Sequence, residues 1–252
     1  MAASLDSESS IIETPDHMNV PWSVHRCLVD PKYFEAILPG LEKLCESYQT
    51  TVWGKSHESK RISCIFTKDS DPTSNKEKYY KGTIPNYNID SENTPKELKG
   101  IWSQLEKKFG YKFDYMLAHI YRDHNDYLGW HSDKEALDTP VLSVSLGAER
   151  SFRFRLVGTT KGYTNEYSLD SGDVLHMHAP DPKSEDDILK KGCQRTYQHY
   201  VPPMSVNEIK THLIKLGITF PSGRFTKNVA EQLMKKHNAY PVRINLTLRQ
   251  FE

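Results

Sequence analysis

A histidine and an aspartate stand two residues apart in Trp130-His131-Ser132-Asp133. In an extended segment that spacing sends both side chains to one side. One more histidine from a distant strand would complete a face of two imidazoles and a carboxylate. Such a face leaves three coordination positions of a metal open, which suits iron that must take both a keto acid and dioxygen. His176, His178 and His199 all fall in strand-like segments and could supply the third ligand. Near the C-terminus, Arg243-Ile-Asn-Leu-Thr-Leu-Arg249 alternates polar with apolar residues, so Arg243, Asn245, Thr247 and Arg249 share one strand face. Turned to solvent, that face is only a polar surface. Turned into a barrel, two guanidinium forks and an amide make a receptor for a dicarboxylate.

Holding these groups in place takes strands. Phe113 to Tyr121, Val141 to Leu146, Ser151 to Val157, Glu166 to Leu169, Val174 to His178, Arg195 to Val201 and Val242 to Phe251 read as strands between turn-forming residues. That spacing predicts an α+β fold around a double-stranded β-helix, a jelly roll. Upstream, Tyr33 to Tyr48 has helical spacing interrupted by Pro39-Gly40, and Thr51 to Trp53 and Arg61 to Thr67 read as short strands. A loop follows from Lys68 to Asn75. Thr94 is expected to cap a helix opened by Pro95, with Leu98, Ile101, Leu105 and Phe109 on one face. Met204 to Tyr240 returns to helical spacing, as an insertion ahead of the last strand.

The expected organisation is therefore a disordered tail (1–20), an N-terminal extension with a lid (21–112), and a jelly-roll core (113–203). The helical hairpin (204–240) and the final core strand (241–252) complete it. Lysine plus arginine equals aspartate plus glutamate, 33 each, so bulk charge predicts no partner. Four scattered cysteines without a CxxC pair read as reduced thiols of an intracellular monomer, with no segment apolar enough to span a membrane.

The His131-Ser-Asp133 pair, a later histidine and the closing RINLTLR strand together resemble the AlkB family of 2-oxoglutarate dioxygenases. The likeness covers most of Val52 to Phe251 outside the insertion. It implies Fe(II), 2-oxoglutarate and dioxygen, with iron on His131, Asp133 and His199. The family's ligand lies in a segment similar to Thr196-Tyr-Gln-His-Tyr-Val-Pro202, which favours His199 over His178 and leaves His178 as a supporting donor. By the same resemblance Arg243, helped by Tyr121, takes the distal carboxylate of 2-oxoglutarate, while Asn245 and Arg249 hold its other end or the site around it. One departure is His119, where the family usually carries asparagine.

The resemblance further implies oxidative demethylation of alkylated bases in DNA, duplex favoured, or in RNA, with release of formaldehyde, succinate and CO2. A base inside a duplex must first be flipped out of the stack. Trp53 in Val52-Trp-Gly-Lys55 is similar to the finger that fills the vacated stack in duplex-acting homologues, or is a core residue. Tyr80 matches the aromatic that stacks on the flipped base, opposite His131. Glu135 matches an acid at the base edge, favouring methyladenine or methylcytosine. Arg61 is read as a phosphate contact in the lid or as a solvated surface cation. The insertion resembles a SAP-like hairpin, with six lysines and arginines against two glutamates, or is a structural cap. Two other readings stand beside demethylation: hydroxylation of a protein side chain, and a binding module without catalysis.

Overall fold

Period-two alternation of apolar and polar residues pairs the chain into two sheets, one broad and one small, antiparallel but for one short parallel pairing in the broad sheet. The computed structural model describes residues 12–13, 19–52, 55–68, 83–220 and 222–250. The broad sheet contains β1 (Ile12–Glu13), β2 (Trp22–His25), β3 (Glu46–Val52), β4 (Lys55–Thr67), β5 (Asn86–Asn88), β6 (Tyr115–Tyr121), β8 (Val141–Gly147), β11 (Val174–Met177) and β13 (Arg243–Arg249). Its order is β1-β2-β11-β8-β13-β6-β4-β3, with β5 alongside β4. The small sheet runs β10 (Asn165–Leu169), β9 (Arg150–Leu156), β12 (Tyr197–Val201), β7 (Leu128–His131). Trp22 of the broad sheet stacks on Phe154 of the small one at 4.0 Å, fixing the two faces against each other. This is the expected jelly roll within an α+β fold.

The broad sheet's other face is covered by α1 (Tyr33–Leu44) and α2 (Lys96–Phe109). Leu98, Ile101, Trp102 and Leu105 of α2 are buried with Ile37 and Leu41 of α1 against Ile244, Leu246 and Leu248. Each such side chain contributes roughly 1.5–3 kcal/mol by leaving water. Gly40 lets the helices close up, since a Cβ there would stand 2.6 Å from Pro95 Cγ.

Four local expectations differ from the structure. The first helix stops at Leu44, and Glu46 onward is strand, so Tyr48 lies on β3 rather than on a helix. Extended β3 and β4 replace the two short strands and pair from Glu46↔Ser63 to Val52↔Lys55. Thr94 does not cap α2; its hydroxyl donates to the Asn88 carbonyl, which tethers the preceding loop instead. Ile12–Glu13, expected as tail, pairs with β2 at the sheet edge. Trp53 and Tyr80, the expected finger and stacking residue, lie outside the described residues.

The insertion forms α3 (Val206–Lys215) and α4 (Lys227–His237), which bury Ile209, Leu213, Ala230 and Met234 between themselves. A capping box of Ser205 and Glu208 starts α3. Glu208 also accepts from Ser151 at 2.7 Å, and Lys215 donates to Glu149 and Asp170, seating the hairpin on the barrel.

Candidate active site

Two neighbouring strands bring two histidines face to face. His131 ends β7 and His199 sits directly opposite it on β12. Asp133 follows two residues on, where the chain leaves the strand into a single 3-10 turn, Lys134–Ala136. His131 Nε2 lies 3.6 Å from one Asp133 carboxylate oxygen and His199 Nε2 lies 3.7 Å from the other. The ligand atoms of all three residues fall within 4.8 Å of one another. Among the described residues no other group of histidine, cysteine and acid side chains meets that test.

The surroundings fix each ring. His131 Nδ1 lies 2.8 Å from the Gly129 carbonyl, which makes Nδ1 the protonated nitrogen and frees Nε2 for a metal. His199 is held by packing, with Phe152 stacked on it at 5.4 Å and 14°. Burial lowers the pKa of His131 and lowers that of His199 well below the ordinary histidine range, with His131 adding to the second shift. Both rings are thereby kept in the neutral form that binds metal. Gln194, which the sequence reading missed, accepts from the Asp133 backbone N–H at 2.9 Å and holds that turn. The donor set fits iron: borderline imidazoles, one hard carboxylate, and room for further ligands.

A cavity of about 390 Å³ opens on this triad, walled on one side by Phe152 and Val201 and on the other by His119, Asn245 and Arg249. The RINLTLR face does turn inward. Arg249 donates to Asp133 at 2.9 Å and pairs with Glu135 as well, so it braces the site around the metal ligands. Asn245 donates to Ser143 Oγ and to the Val144 carbonyl. Arg243 continues the same face beyond the cavity and is fully buried. Its Nη2 donates to Ser145 and it lies 5.1 Å from the Tyr121 ring centroid, while Nε and Nη1 have no hydrogen-bond partner among the described residues. Burial pushes its pKa down to about 10. Buried guanidinium donors left unmatched are costly, and a carboxylate satisfies them bidentately. That is the observation by which the site fits 2-oxoglutarate.

Two expectations are corrected. Arg61 is not a solvated surface cation; it is buried at the cavity wall, donating to Tyr48 at 3.0 Å and to Tyr121 at 3.4 Å. His178 is not a supporting donor to the metal ligands. Its Nε2 contacts Ser23, and its ring packs 4.4 Å from His176 in a separate cluster. His119 does line the cavity, 2.6 Å from Ser63 Oγ through Nδ1, and burial holds it neutral with help from the Arg61 and Arg249 charges. Arg150 was also missed. It is buried, donates to the carbonyls of Asp126 and Pro202, and sits 5.3 Å from the Tyr121 ring.

Residues 28–249 match the family model of the 2OG-Fe(II) oxygenase superfamily. Alpha-ketoglutarate-dependent dioxygenase alkB homolog 3 of Rattus norvegicus is 32% identical over 120 residues, 45% of this chain and 39% of that protein. The Mus musculus protein of the same name is 32% identical over 138 residues, covering 52% and 45%. The matched stretch thus spans less than half the length of these curated relatives. The solved structure of OsALKBH1 superposes with a TM-score of 0.50 at 18% identity, covering 95% of this chain and 100% of that one, a likeness of fold. With the triad, the inward arginines and a family match across nearly the whole described core, the chain belongs to the 2OG-Fe(II) oxygenase superfamily, and over about half its length it is similar to alkB homologues.

Proposed function

We propose that the protein removes methyl groups from alkylated bases in DNA by oxidation, with RNA as a second substrate. The observation that carries this reading is the open cavity beside the triad. It shares Arg61, Leu128 and His131 with a surface groove between β4 and β7, so an extruded base has a path to the metal ligands. His131, Asp133 and His199 hold the iron, and Arg243 beside Tyr121 receives the distal carboxylate of 2-oxoglutarate. The iron with its cosubstrate and dioxygen supplies the oxidation of a methyl C–H bond; a hydroxymethyl group on a base nitrogen then breaks down to formaldehyde.

The chain's own residues orient and shield. Phe152 and Val201 keep one wall apolar, which limits water beside the reacting methyl. Glu135 lines the cavity with its carboxylate on Arg249, placed to accept from an exocyclic amine of adenine or cytosine. Asn245 and Arg249 stiffen the floor through Ser143 and Asp133.

The test is turnover with Fe(II), ascorbate and 2-oxoglutarate on methyladenine- and methylcytosine-containing oligonucleotides, beside peptide substrates. Formaldehyde and succinate in equal amounts from the oligonucleotides, and none from His131→Ala, is the expected result. Succinate coupled only to peptides would overturn the nucleic-acid reading and leave the iron chemistry standing.

A further inference from the structure

The inward face of the small sheet makes the active site; its outward face carries an aromatic and cationic cluster that the chemistry does not use. Strand alternation puts His131, His199 and Phe154 on one side and Trp130, Tyr200, Arg153 and Arg155 on the other. Trp130 and Tyr200 lie 5.0 Å apart at 33°, both half-buried. The Arg155 guanidinium sits 4.4 Å over the Trp130 ring. Arg155 is held flat by two hydrogen bonds to Gln198, 3.0 and 2.9 Å, and no carboxylate of the described residues pairs with it. Its neighbour Arg153 is different, being paired with Glu166 at 2.8 Å. A cation fixed in place without a counter-ion, among partly exposed aromatic rings, suits a phosphodiester with its base stacked alongside.

The position supports the same partner. Trp130 and the 40% exposed Tyr127 border a groove of about 710 Å³ whose far wall is His57 to Lys60 of β4. That groove meets the active-site cavity at Arg61, Leu128 and His131. The groove gives a strand whose target nucleotide enters the cavity a way out past Trp130. We infer that Trp130, Tyr200 and Arg155 form a docking platform for the single-stranded DNA flanking the target base, a proposal that rests on the nucleic-acid reading above. Stacking on Trp130 needs unpaired bases, so the platform favours single strands over duplexes.

The experiment is fluorescence anisotropy of the iron-loaded protein, without oxygen, using a labelled twelve-nucleotide single-stranded DNA with one methyladenine and its duplex form. Trp130→Ala should weaken single-strand binding by roughly 5- to 100-fold, the range for one lost stack, and affect the duplex less. Trp130→Phe, which keeps an aromatic face, should recover most of the loss. Arg155→Ala should flatten the salt dependence by about 0.7 in log–log slope, as loss of one phosphate contact does on single strands. A thermal midpoint close to wild type in these variants excludes collapse of the sheet. Single-strand affinity unchanged in both alanine variants overturns the proposal, as does an equal loss on duplex and single strand. Binding that depends on Trp130 in a protein that demethylates no oligonucleotide would instead sink the demethylase reading and leave the platform standing.

Discussion

Two clusters of histidines stand on this barrel, and they differ in what surrounds them rather than in how many rings they hold. His131 and His199 flank a carboxylate, face a cavity, and are braced by Gly129, Phe152 and the Arg249–Asp133 pair. His25, His176 and His178 gather around Ser23 beneath Phe109 and Tyr111, with no carboxylate in ion-pair reach among the described residues. Burial keeps the rings of both clusters neutral. A neutral imidazole is therefore not enough to mark a metal site. The acid two residues from a histidine, and open space for further ligands, separate the first cluster from the second.

Breaking the charged side of the first cluster should have the largest effect. Arg243→Ala removes the buried guanidinium expected to bind the cosubstrate and should raise KM for 2-oxoglutarate by about 30-fold or more, the scale for truncating one partner of a buried charged pair. Arg243→Lys should recover little, because a point charge cannot replace the fork. A KM within a few-fold of wild type would remove Arg243 from that role.

Loosening the brace should cost less. Gln194→Ala frees the Asp133 turn and should lower Fe(II) affinity about 10- to 100-fold, as loss of supporting contacts does at metal sites. Metal titration checks this, with unchanged affinity returning Gln194 to a packing role.

The second cluster should matter to stability alone. His176 is pushed down to about 3 and His178 to about 4, by burial first and by neighbouring histidines second. Above pH 6.5 neither folded nor unfolded chain charges them, so they contribute no pH dependence. Below it the unfolded chain binds protons that the folded one refuses, and stability falls as pH drops from about 6.5 towards 4. The loss from pH 7 to 5 should be on the order of 1–2 kcal/mol per histidine, and His176→Gln or His178→Gln should flatten it in denaturant melts.

Much of the first cluster was legible in the sequence because its signals are local: HSD spans three residues and RINLTLR alternates within seven. His199 needed family likeness, since nothing in strand periodicity distinguishes it from His178. The neighbours of the ligands were not legible. Gln194 reaches Asp133 from a short helix after a long loop, and Arg150 and Arg61 are buried by strands distant in sequence. Arginine on a strand is ordinarily read as exposed, so burial that depends on tertiary pairing leaves no local mark. The jelly roll itself was readable from strand spacing, whereas the extended β3–β4 pair was not, because Glu46 to Thr51 carries helix-tolerant polar residues and too few apolar ones to set a period.

The contrast between the clusters reduces to one substitution pair. Fe(II) binding and 2-oxoglutarate-dependent succinate release should be measured side by side in His199→Ala and His178→Ala. Loss of both in His199→Ala, with near wild-type values in His178→Ala, is the predicted result. Retained iron and turnover in His199→Ala, or their loss in His178→Ala alone, would contradict the assignment of the metal centre to His131, Asp133 and His199.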